Sequence, residues 1–154
     1  MSIAQDLTTS RTDPFDLQRF ISAQAGVYDD VLGELRDGQK RTHWMWFIFP
    51  QFDGLGHSER ARHYGIKSEE EARQYLNHPV LGPRLVECAE AVLDIKGRSA
   101  LSIFGFPDDK KLRSSMTLFA AITDSESVFA RVLDSYFKGR RDGKTLELLE
   151  QHST

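Results

Sequence analysis

Between positions 85 and 93 of the chain, Leu85, Cys88, Ala89, Val92 and Leu93 stand at i, i+3, i+4, i+7 and i+8. That spacing puts all of them on one face of an α-helix, and an apolar face of that kind must be covered. No other feature constrains the fold as strongly, and it recurs. Phe15, Leu17, Phe20, Ile21 and Ala25 form one stripe of mixed 3 and 4 spacing, and Val27, Val31, Leu32 and Leu35 form another. Leu112, Met116, Phe119 and Ala120 form a third, and Val128, Phe129, Val132, Leu133 and Tyr136 a fourth. No run of alternating strands and no internal repeat is visible. The pattern predicts a mostly α fold, a single compact irregular or orthogonal bundle of about eight short helices that cover one another's stripes.

Polar punctuation divides the stripes. Asp13 before Pro14 suits a helix start, with Asp13 as N-cap and proline in the first turn. Gly38 fits the position just past a helix end. Ser58 and Ser99 stand where they cap short helices, and Ser68 with Glu71 reads as a capping box. Asn77, His78 and Pro79 end the helix that follows, Ser125 is placed to cap the helix carrying Val128, and residues 142 to 149 make a last helix. Residues 1 to 13 are polar and weakly periodic, a flexible N-terminal tail, which leaves residues 14 to 151 as a single helical domain.

One segment resists this reading. His43 is followed by the apolar run from Trp44 to Phe49, then by Pro50 and Gln51, and both tryptophans of the chain lie in it. Its aromatic content permits a strand, but a lone strand has no partner here, so a short buried helix is the better expectation. Two residues apart on a helix are about 200° apart, so Trp44 and Trp46 cannot both face one pocket. Either one is left as the candidate.

The composition narrows the partners. A net charge of −3, from 20 basic and 23 acidic residues, gives no general attraction to nucleic acid or to an anionic membrane. The longest apolar run is far short of the roughly 18 residues that span a bilayer. Cys88 is the one cysteine, which excludes an intrachain disulfide, and the N-terminus has no apolar secretory core; both fit a cytoplasmic protein. The five histidines show no HxxxH or HExxH spacing, so no metal site is expected.

Five segments together resemble a known family. They are FISAQAGVYDDVLGELRDGQK at 20 to 40, HWMWFIFPQFDGLGHS at 43 to 58, YLNHPVLGPRL at 75 to 85, FGFPDDKKLRSSMTLF at 104 to 119 and DGKTLELL at 142 to 149. In this order they resemble the uncharacterised, mostly bacterial domain of unknown function 1810 family. The resemblance implies a mainly helical domain and no established activity, substrate or cofactor. Some members carry the label calpastatin, an inhibitor that acts as a disordered chain. The apolar stripes and caps of this sequence are not a disordered composition.

Two segments hold the residues with chemistry to offer. In the first, His43 at the rim of the aromatic run is a candidate general acid or base. Lys40, Trp44, Trp46 and Gln51 around it are candidates for stacking and hydrogen bonding to a nucleotide-like ligand. In the second, Asp109 is a candidate proton carrier, and Lys111, Ser114, Ser115 and Thr117 are candidates for holding a phosphate or carboxylate. Asp108 and Asp109 also suit the start of a helix as caps. The spacing of a P-loop is absent. The expectation is a small anionic ligand, nucleotide-like or phosphorylated, bound between HWMWFIFPQ and KKLRSSMT. The alternative is a non-enzymatic interaction module in which the aromatic segment is a partner surface or core. Enzymatic activity, any cofactor and the oligomeric state stay open.

Overall fold

A computed structural model describes residues 13 to 152 of the chain; the N-terminal tail expected over residues 1 to 13 otherwise lies outside them. Ten helices occupy the described residues, and no strand does. In chain order they are α1 (Gln18–Gln24), α2 (Tyr28–Arg36), α3 (Met45–Ile48), α4 (Glu59–His63) and α5 (Glu69–Asn77). There follow α6 (Leu81–Asp94), α7 (Ala100–Phe104), α8 (Asp108–Ala120), α9 (Val128–Phe137) and α10 (Gly143–Gln151). The fold is mostly α, as the stripes predict. The count is ten against about eight expected, and α3, α4 and α7 are helices of only 4 or 5 residues.

The helices that carry the stripes form the centre. The long helix α6 contacts α2, α5 and α9; α8 contacts α5, α7, α9 and α10; α1 lies against α3. Leu85, Cys88, Ala89 and Val92 of α6 are all buried, and Leu93 is half-buried at the edge of that face. One hydrophobic core includes Phe20, Leu35, Trp44, Phe49, Tyr75, Phe119 and Phe129. Each such side chain contributes about 1.5–3 kcal/mol by leaving water. No helix among the described residues is long and apolar enough to cross a membrane.

The caps explain where helices begin. Ser58, Ser68 and Asp142 accept backbone N–H bonds from Ala61, Glu71 and Thr145. Ser99 and Ser102 form a reciprocal capping box. Other starts differ from the sequence expectation. Asp13 does cap, accepting from Leu17 N at 2.7 Å and Gln18 N at 3.1 Å, but a turn containing Asp16 in the left-handed region intervenes and α1 begins at Gln18, not at Pro14. The α9 cap is Ser127 rather than Ser125. Asp124 Oδ1 accepts from Glu126 N at 2.8 Å, so residues 124 to 126 form their own turn and delay the helix. Ser68 and Glu71 make half a capping box: the Glu71 carboxylate turns instead to Lys67 N at 2.9 Å and to Arg19 at 2.6 Å.

The ambiguous segment is a single helical turn. It is bounded at both ends, with Trp44 and Phe49 in non-helical conformations and Pro50 following. Trp44, Met45, Ile48, Phe49 and Pro50 are buried, whereas Trp46 and Phe47 are half-buried.

Candidate functional site

The position of the aromatic segment depends on one carboxylate that sequence reasoning missed. Glu34, on α2, is 8% exposed. It accepts from Arg41 N at 2.6 Å, Thr42 N at 3.0 Å, Thr42 Oγ1 at 2.6 Å and Trp44 Nε1 at 3.0 Å. Burial raises its pKa, but these hydrogen bonds to the charged form outweigh burial and hold the carboxyl at about 2, below the ordinary 4.5. The signal was present in the sequence. Glu34 stands three residues after Val31 and beside Leu35, an acid on an apolar stripe.

From this anchor the chain runs past α7, where Lys40 N donates to Ile103 O at 2.8 Å. Lys40 then points to the start of α8. Its Nζ lies 2.9 Å from Asp108 Oδ2, and Lys111 Nζ lies 3.4 Å from the other oxygen of the same carboxylate. Asp108 thus bridges two ammonium groups at the positive end of a helix, where an acid is favoured. It does not cap that helix. The N-cap position is Pro107, which offers no side-chain bond, so the capping role expected for Asp108 or Asp109 is corrected.

The two tryptophans divide between core and surface, although Trp44 itself stands just outside the helical turn. Trp44 is 2% exposed, bonded to Glu34, with Lys40 Nζ 5.1 Å from its ring centre. Trp46 is half-buried and carries two cations, Lys111 Nζ at 4.8 Å and Arg60 Cζ at 5.2 Å from the ring centre. Lys111 comes from α8, Arg60 from α4 and Trp46 from α3, so three elements separate in sequence converge on one indole. Each such contact contributes about 0.5–2 kcal/mol, depending on how dry it is. Arg60 was not anticipated; the only sequence signal was the run of basic residues in ERARH at 59 to 63.

The remaining candidates are not brought to that indole in the same way. Ser114, Ser115 and Thr117 are buried within α8. Ser114 Oγ donates to Lys110 O at 3.2 Å and Thr117 Oγ1 to Arg113 O at 2.8 Å, the backbone one turn earlier. Thr117 Oγ1 also accepts from Asp142 N at 2.9 Å and so ties α8 to the start of α10. Ser115 Oγ and Asp109 Oδ1 are buried side-chain oxygens without a hydrogen-bond partner among the described residues. His43 is exposed. Gln51 lines, with Trp46, Gly56 and Tyr64, a hollow of about 10 Å³, room for about one water molecule. Any ligand at Trp46 therefore lies on the surface and not in an enclosed pocket. Among the described residues no group of three His, Cys, Asp or Glu side chains is placed to hold a metal ion.

Comparison with known proteins puts this geometry in context. The model of a family described as a protein of unknown function, DUF1810, matches residues 14–149. A crystal structure of the conserved hypothetical protein Rv1873 from Mycobacterium tuberculosis superposes with a TM-score of 0.88 at 56% sequence identity. The match covers 90% of this chain and 99% of that one. No curated protein matches the chain.

Proposed function

We propose, from the premise that this chain belongs to the DUF1810 family of proteins of unknown function, that it binds a small anion of phosphate type where Arg60 and Lys111 flank Trp46. One observation carries the reading: two cationic side chains from different helices lie within 5.2 Å of the centre of one half-exposed indole. Lys40 stands behind them, and Asp108 is the carboxylate that pairs with Lys40 and Lys111. Arg60, Lys111 and Lys40 against Asp108 leave these four side chains net positive, which favours an anion. Both cations already lie over the indole, so the geometry supports charge recognition of a phosphate more than stacking of a nucleobase. Gln51 lines the same small hollow as Trp46, and in this reading its amide donates to the same ligand. His43 and Asp109 have no part in this reading.

The alternative, an interaction module that presents the aromatic segment to a partner, loses most of its surface to the core. Trp44, Met45, Ile48 and Phe49 are buried, and only Trp46 and Phe47 remain half-buried.

Thermal shift at low ionic strength tests the proposal, with inorganic pyrophosphate and ADP as probes and chloride at matched ionic strength as control. Binding to the folded state at a hundred times Kd stabilises it by about 2.7 kcal/mol. A rise in Tm for the wild type that is lost in the Arg60→Ala/Lys111→Ala double variant supports the reading. No rise, or an equal rise in the double variant, overturns it.

A further inference from the structure

A second surface lies on other elements. A hollow of about 690 Å³ opens between α6 and the start of α9, within the range typical of ligand clefts. Leu76, Val86, Val128 and Phe129 supply apolar walls, and Glu90, Asp124 and Glu126 stand around them with Arg131 as the one cation. A neighbouring hollow of about 320 Å³ shares Glu90 and continues along α6 past Ala91 to Asp94 and Ile95, with Arg36 and Glu87, an ion pair, on its other side. Together the two follow a helix of 14 residues, about 21 Å at 1.5 Å per residue.

The charge of this groove has no internal explanation at its centre. Asp124 and Glu126 precede α9, whose amino end they suit. Glu90 sits in the middle of α6, where no helix end favours it. Glu90 and Glu126 make no side-chain hydrogen bond or ion pair among the described residues. A groove apolar at its α9 end, with unpaired carboxylates at its edge, is complementary to a helix that is apolar on one face and basic beside it.

We propose that the α6–α9 groove docks a basic amphipathic helix of a partner protein, its apolar residues on Leu76, Pro83 and Val86 and its Lys or Arg residues against Glu90, Asp124 and Glu126. The site is independent of the Trp46 surface, and neither proposal depends on the other.

The full chain is titrated into a fluorescein-labelled peptide of about 14 residues made only of Leu and Lys in an amphipathic helical pattern. Its Leu/Glu counterpart is run beside it. The Leu/Lys peptide binds saturably and the Leu/Glu peptide does not. Glu90→Lys/Glu126→Lys weakens binding by about tenfold. Glu59→Lys/Glu147→Lys, which changes net charge equally on exposed positions of α4 and α10, leaves it unchanged. Failure of the Leu/Lys peptide to bind overturns the proposal, and so does equal weakening by both pairs, since general charge then explains the binding. Sedimentation of the chain alone supplies the last outcome. A dimer that Glu90→Lys/Glu126→Lys dissociates would mean that a second copy occupies the groove, against the proposal.

Discussion

Glu34 shows how much one side chain decides. Its carboxylate meets two backbone N–H groups, a hydroxyl and an indole N–H, so it fixes residues 41 to 44 in one arrangement. Glu34→Gln puts an amide donor among those donors, and it should destabilise the fold by about 1–3 kcal/mol in urea unfolding at neutral pH. The pH dependence has a definite sign. The folded-state pKa, about 2, lies below the ordinary 4.5, so the contribution is full above the unfolded value and is lost as pH falls from 4.5 toward 2. The stability gap between wild type and Glu34→Gln should therefore shrink over that window; a gap that stays constant from pH 7 to pH 2 contradicts this assignment. Two neighbours on α8 give a contrasting pair. The Thr117 hydroxyl links Arg113 O and Asp142 N, so Thr117→Val should cost about 1–3 kcal/mol. Ser115 Oγ has no partner among the described residues, so Ser115→Ala should be neutral or stabilising in the same assay. A larger loss for Ser115→Ala than for Thr117→Val would reverse the account of this helix.

At the scale of elements, local chemistry was legible and long-range competition was not. Ser58, Ser68, Ser99 and Asp142 act as caps because an N-cap needs only its own first turn. Glu71 left the expected box because Arg19, 52 positions away, offers it a buried charge partner. No local pattern contains that information. The same holds for the joint between α5 and α6. A Cβ added to Gly82 would lie 2.0 Å from Leu76 O, so the two helices approach as closely as they do because position 82 has no side chain. Gly82→Ala should cost about 3 kcal/mol or more, seen as a fall in Tm, because either the helix start or its neighbour must move. An unchanged Tm would mean that this joint tolerates displacement.

For the whole molecule, the fold class was readable from the stripes alone, since the five helices that carry them have few ways to cover their apolar faces. The site was readable only in part. Of HWMWFIFPQ and KKLRSSMT, Lys111 lies over the Trp46 ring, and Lys40 and Asp108, just before the two segments, pair with each other. Which tryptophan stays near the surface was fixed by Glu34, whose carboxylate holds the Trp44 indole N–H and so draws that ring into the core. The hydroxyls of α8 are buried as a group, and the backbone one turn back takes the protons of Ser114 and Thr117. Arg60 came from a segment with no motif.

In the proposed anion site, the indole of Trp46 lies beside Arg60 and Lys111. Two indole N–H signals are available to proton–nitrogen NMR, and a Trp46→Phe variant assigns them. On titration with inorganic pyrophosphate, the Trp46 signal should shift saturably while the Trp44 signal, held by Glu34, stays in place, and the shift should vanish in Lys111→Ala. A Trp46 signal that does not move, or that moves equally in Lys111→Ala, would contradict the proposed site.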